Sequence, residues 1–181
     1  MDVFESSFRG LIGLPCWGVQ WDAQTGLWLE FGTPRLTIRE PKEVASASER
    51  VRRLFAHRRV TLHGRWTLAI TCGRWRLSLR GQDGVSHASE DADVARALVW
   101  LDGQNLLSVE VAAEDGTTQL RFDLGAELTV AGSDCDEGEM WTLYKPRGMA
   151  LSVRRDGTYG SGSASKAHRW RSIPRYAEPM S

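Results

Sequence analysis

Long apolar runs are missing from this chain of 181 residues. Nowhere do the roughly 18 consecutive apolar residues of a membrane-spanning helix occur. A basic-then-apolar start is missing too: Met1 is followed by Asp2 and Glu5, so no secretory signal is expected and the cytoplasm is the expected compartment. Cysteine is scarce. Cys16, Cys72 and Cys135 form an odd, widely spaced set with no Cys-x-x-Cys, which points to reduced buried thiols rather than a disulfide frame or a zinc site. The 4 histidines, His57, His63, His87 and His168, share no spacing that would place two of them on one face of a strand or helix as metal ligands. None of the 18 glycines falls into a phosphate-binding loop, and no Gly-x-Ser-x-Gly elbow is present. No catalytic residue, metal ligand or cofactor is therefore assigned, which leans against an enzyme. The acidic stretch Asp134-Cys135-Asp136-Glu137-Gly138-Glu139 is the best cation candidate. It reads as a solvated turn, because the later positions of a calcium loop would fall on Met140, Trp141 and Leu143.

Net charge is zero, but its distribution is not even. From Arg50 to Arg80 the chain holds no acid, whereas from Glu90 to Glu139 acids dominate, broken by only Arg96 and Arg121.

What is present in abundance is self-similarity. Trp66-Thr67-Leu68 returns as Trp141-Thr142-Leu143, and Leu11-Ile12-Gly13 with Val19 and Gly26 returns 90 positions later as Leu101-Asp102-Gly103 with Val109 and Gly116. Leu36-Thr37-Ile38 is read as the counterpart of Leu128-Thr129-Val130, and Leu77 to Arg80 as that of Leu151 to Arg154. Alternation with a period of two marks strands in both halves: Trp17, Val19 and Trp21; Leu27, Leu29 and Phe31; Trp75, Leu77 and Leu79; Leu120 and Phe122. Between Pro41 and Thr61 the period changes, and Ser46 with Glu49 has capping-box spacing, so an inserted helix of about three turns is expected near 46–59. A second helix, about 89–101, has Val94, Leu98 and Leu101 on one face. The expected fold is mostly β (α+β): two pseudo-symmetric antiparallel β repeats forming a sandwich or open barrel, with two short helices. Residues 1–160 form one domain, with repeats at about 9–85 and 101–159 linked by the helix at 89–101. From 161 the Gly/Ser/Ala composition predicts a flexible basic tail to 181 that carries Arg169, Arg171, Arg175, Trp170 and Tyr176.

The segments Leu11-Ile12-Gly13-Leu14-Pro15-Cys16-Trp17-Gly18-Val19, Glu30-Phe31-Gly32, Ala47 to Arg53, Gly64-Arg65-Trp66-Thr67-Leu68 and Asp102-Gly103-Gln104 resemble a widespread family of uncharacterised bacterial double-repeat β proteins, over most of 9–160. The resemblance implies a bacterial source and, loosely, immunity-like proteins of toxin systems. It brings no catalytic residues. The residues themselves point to a protein-binding module without catalysis that meets an acidic protein surface; the alternative is a small-ligand carrier or enzyme with a pocket between the repeats. The binding residues expected are Arg50, Arg52, Arg53, Arg58 and Arg59 on the inserted helix and its flank, Arg74, Arg76 and Arg80 on one strand, and the outward Trp28. The acidic second half argues against nucleic acid, no membrane contact is expected, and a homo-oligomer is left open. Trp17, Trp21, Trp66, Trp75 and Trp141 fall on inward strand phases and are expected in the core.

Overall fold

A computed structural model of the chain describes residues 3–45, 48–80, 82–133 and 138–174. In chain order the elements are α1 (Val3–Phe8), β1 (Cys16–Asp22), β2 (Gly26–Phe31), β3 (Arg35–Arg39), α2 (Glu49–Phe55), β4 (Arg59–His63), β5 (Trp66–Ile70), β6 (Gly73–Leu79), β7 (Gln82–Ser86), α3 (Asp91–Leu101), β8 (Leu106–Val111), β9 (Thr118–Phe122), β10 (Glu127–Ser133), β11 (Glu139–Lys145), β12 (Met149–Arg154), β13 (Thr158–Ser163) and β14 (Trp170–Ser172).

The strands form a sandwich of two antiparallel sheets that do not close into a barrel. One sheet has the order β1-β2-β5-β11-β12-β13-β14 and the other β7-β6-β10-β9-β8. Each sheet joins three strands from one half of the chain, β1-β2-β5 or β8-β9-β10, to consecutive strands from the other, β11 to β14 in the first sheet and the hairpin β6-β7 in the second. The junctions match: β5 meets β11 with Leu68 opposite Leu143, and β10 meets β6 with Leu128 opposite Leu77. Inward side chains of both sheets bury one core, whose largest members are Trp75, Trp141, Phe4, Phe8 and Phe31. Burial of such aromatic and aliphatic surface, at about 25 cal/mol per Å², is the main favourable term in the fold.

Helices close the open margins of the sandwich. The buried face of α3, Val94, Ala97, Leu98 and Leu101, packs against β1 of one sheet and β7 and β6 of the other. The short α1, not expected from the sequence, sets Phe4 edge-on to Tyr159 at 5.3 Å and Phe8 edge-on to Trp141 at 5.9 Å. Phe4 and Phe8, four apart, are its only sequence signal.

Several expectations change. Among the described residues there are three α-helices rather than two. Ordered structure continues past 160: β14 pairs with β13, Arg154 lies over the Trp170 ring at 3.7 Å, and Ile173 is buried. The Gly/Ser strand β13 is held by pairing on both sides, which composition does not reveal. The rest of the expected tail, 175–181 with Arg175 and Tyr176, lies outside the described residues, as do the Ser46 cap and most of the acidic stretch, 134–137. Helix α2 is capped instead by Ser48, whose Oγ accepts from the Val51 amide. Cys16 is a buried free thiol, as expected, but Cys72 is disulfide-bonded, and Cys135 falls outside the described residues.

The inserted segment is larger than one helix. β3 pairs only with β4, in a separate two-stranded sheet, and never joins the sandwich. The counterpart of β10 is therefore not β3 but β5, with Leu68 and Leu128 equivalent. The described residues from Arg35 to His63 form an arm that leaves after β2 and returns into β5.

Candidate functional site

The root of the arm is fixed by a buried carboxylate. Glu30, 7% exposed, accepts at Oε2 from the Gly64 amide at 2.8 Å and the Thr67 hydroxyl at 2.6 Å. His63 Nδ1 approaches Oε1 at 3.6 Å. Charge-assisted bonds of this kind are about twice as strong as neutral ones. Only glycine fits at 64, because a Cβ there would stand 2.5 Å from the Phe31 carbonyl oxygen. Trp66 covers the root from the other side: its ring lies against Gly10 and Gly32, with the Arg65 guanidinium over it at 4.8 Å.

Beyond the root, alternation along two five-residue strands sorts the side chains. Leu36 faces Leu62 and Ile38 faces Val60, while Arg35, Thr37 and Arg39 face His63, Thr61 and Arg59. Pairing in step puts the four aliphatic residues on one face. On the other, α2 packs back, with the Arg39 guanidinium 4.3 Å over the Phe55 ring and the Phe55 carbonyl accepting from the Lys42 amide. Nothing covers the first face among the described residues: Leu36, Ile38, Val60 and Leu62 are 67, 56, 54 and 51% exposed. Such clustering is unusual in a monomer and marks interaction surfaces. Neither β3, β4 nor α2 makes extended contact with the two sheets.

The expected binding arginines fall into two sets. Arg50, Arg53, Arg58 and Arg59 gather with Arg39, Glu49 and His57 around one depression on the arm, and Arg52 lines a neighbouring one with Lys42 and Glu43. Arg58 is held by a forked contact to Glu40, 2.8 to 3.1 Å, and Arg53 pairs with Glu49. Arg74 and Arg76 stand exposed on the outer face of β6, and Arg80, exposed just past its end, lies along Gly125. α2 and β6 share no extended packing. Trp28 is half-buried, and its Nε1 donates to the Thr25 carbonyl, tying down the β1–β2 turn.

Sequence reasoning missed the aliphatic face. Its signal was the matched alternation of Arg35-Leu36-Thr37-Ile38-Arg39 and Arg59-Val60-Thr61-Leu62-His63, read as one sheet strand and the end of a helical region.

A second surface feature runs along β1. Between this strand and α3 lies a cleft of about 650 Å³ that reaches from the turn at Ala23 and Gln24 to Asp102. Val19, Trp21, Leu98 and Val99 supply apolar walls and Asp22, Asp91 and Asp102 supply carboxylates. Asp22 is held below the usual carboxylate range by the amides of Gln24 and Thr25, which donate to it at 2.8 and 3.0 Å. It stays ionised. The space between the sheets, by contrast, is filled by the core side chains.

Two further groups are tuned by burial. The Cys16 thiol is pushed far up by desolvation, with the Asp102 and Glu30 carboxylates adding to it, so it is an unreactive thiol. Lys145 is lowered by desolvation and donates to Ser7 Oγ at 2.9 Å. Among the described residues no three His, Cys, Asp or Glu side chains converge as metal ligands, and no helix is long and apolar enough to cross a membrane. No protein-family model, curated protein or solved structure matches the chain.

Proposed function

We propose that this chain is a protein-binding module without catalytic chemistry, and that the arm formed by β3, α2 and β4 is its binding element. The observation that carries this reading is the aliphatic face Leu36, Ile38, Val60 and Leu62, more than half exposed on an element that lies outside both sheets of the sandwich. Charge supplies the partner's character. Between Arg35 and His63 stand 8 Lys/Arg and 3 Asp/Glu, a net charge of +5. An apolar strip with carboxylates around it complements that surface, and the arginines add long-range attraction that salt weakens. An inhibitor of the immunity type, in a bacterial cytoplasm, is one form such a module takes.

The test is affinity capture from the native host at two ionic strengths, with partners identified by mass spectrometry. Three proteins are compared: wild type, an arm variant (Leu36→Ser, Ile38→Ser, Arg50→Glu, Arg53→Glu) and a strand variant (Arg74→Glu, Arg76→Glu). Loss of a defined partner with the arm variant alone supports the reading. Identical partners for all three would sink it; loss with the strand variant alone moves the site to β6.

A further inference from the structure

We infer that the partner met by the arm is a second copy of this chain, and that the arm seats in the cleft between α3 and β1 of that copy. The inference rests on the reading of the arm as a protein-binding element and adds the identity of its partner.

Three observations converge. First, the chain is electrically self-complementary: the total is zero, so an arm at +5 leaves −5 on the remainder. Second, the cleft matches the arm in kind. The arm offers aliphatic side chains with arginines behind them; the cleft offers Val19, Trp21 and Val99, the last 72% exposed, beside Asp22, Asp91 and Asp102. Third, the arm does not occupy the cleft of its own chain: none of β3, α2 and β4 makes extended contact with β1 or α3, which line it. A cleft left open by its own arm is free to take the arm of another molecule.

Exchanged reciprocally about a twofold axis, such a contact closes an isologous dimer; repeated head to tail it is heterologous and builds a ring or an open chain. An arm-to-arm pairing would instead bring two surfaces of +5 together, which repel.

The experiment is sedimentation equilibrium of the whole chain over about 1 µM to 1 mM, the range of Kd for transient contacts. The wild type is run alongside an arm variant (Ile38→Ser, Val60→Ser) and a cleft variant (Asp91→Asn, Val99→Ser). All four positions are exposed. Circular dichroism confirms that each variant is folded. The wild type is expected to self-associate, at least tenfold more weakly at about 1 M than at about 0.1 M salt, across which the Debye length falls from about 10 to about 3 Å. Each variant alone is expected to be monomeric, and an equimolar mixture of the two to form a heterodimer, because one intact arm and one intact cleft remain. A monomeric wild type, a variant that associates as wild type does, or a mixture that stays monomeric each overturns the inference. A monomeric wild type whose arm still captures a different protein from the host overturns only this inference and leaves the arm as binding element.

Discussion

Trp75 and Trp141 occupy matching places in the two sheets: each stands two residues ahead of a leucine, Leu77 or Leu143, that faces Leu128 or Leu68 across the junction between the halves. Both indoles are 1% exposed. Trp141 Nε1 donates to the Thr118 hydroxyl at 2.8 Å, and Trp75 meets Trp21 edge-on at 5.1 Å. Replacing either tryptophan by Ala is expected to cost about 3 to 5 kcal/mol, the range for large buried aromatics. Trp66→Ala, at a half-buried ring on the arm's root, should cost less than either. Urea midpoints of the three variants check the order, and a Trp66 loss equal to that of Trp141 would contradict the assignment.

That pairing shows why the sequence was legible in part. The strands of the sandwich were readable because inward and outward residues alternate cleanly, as in Trp75 to Leu79 and Leu120 to Phe122. Their equivalence was misread, since the identical letters Trp-Thr-Leu at 66 and 141 hide the true match of Trp75-Arg76-Leu77 with Trp141-Thr142-Leu143. The shared threonine does not mark equivalent places: Thr67 donates to Glu30 at the root of the arm, whereas the buried Thr142 bonds Glu139 and Ser152. Leu36 and Ile38 misled for a different reason. Period two reports that a face is apolar, not that anything covers it. Bulges add a third failure: the register shift between Leu106 and Ser108 buries Leu106 and exposes Leu107, which simple alternation from Val109 puts inside.

Glu30 should be the most sensitive polar residue of the root. Glu30→Ala leaves the buried Gly64 amide without its acceptor, a loss of about 1 to 3 kcal/mol. Hydrogen exchange at Gly64 is expected to quicken well beyond that in β10 or β11. Unchanged protection at Gly64 would mean that the carboxylate does not hold the arm.

Gly26 is tested by backbone geometry alone. It has φ +94°, and a Cβ would stand 2.2 Å from the Ile70 carbonyl oxygen. Gly26→Ala therefore combines left-handed strain with a backbone clash and should destabilise the β1–β2 hairpin, whereas Gly13→Ala, at φ +82° with open space around it, carries the strain alone. Thermal unfolding of both separates the two effects: equal losses would discount the contact with Ile70.

Cys16 gives a prediction in pH. Its folded pKa is raised by burial, so its contribution to stability is complete below the unfolded value of about 9 and is lost as pH climbs above it, because only the unfolded chain then releases the proton. At pH 8, wild type and Cys16→Ser should give the same reading with a thiol reagent while folded and differ by one thiol after unfolding in urea. A difference in the folded state would show that the thiol is accessible.

The arm should be removable without loss of the sandwich. β2 and β5 pair with each other from Leu27 opposite Ile70 to Phe31 opposite Trp66, just as β9 pairs with β10, but the latter are joined by a short turn in which Gly125 takes φ +89°. Replacing residues 32–65 by the sequence Asp-Leu-Gly, copied from 123–125, closes the same gap with a turn the chain already uses. Glu30 keeps its bond to Thr67, which lies in β5. The shortened chain also loses the exposed face of Leu36, Ile38, Val60 and Leu62, whose removal costs the core nothing. A midpoint of thermal unfolding within a few degrees of wild type is expected, since the pairs that bury Trp75 and Trp141 are untouched and a long inserted loop carries only a modest closure cost that grows slowly with length. Cooperative unfolding should persist, and partner binding should be abolished. If the shortened chain fails to fold while Glu30→Ala still folds, the arm is part of the scaffold and its role in binding has to be reassigned.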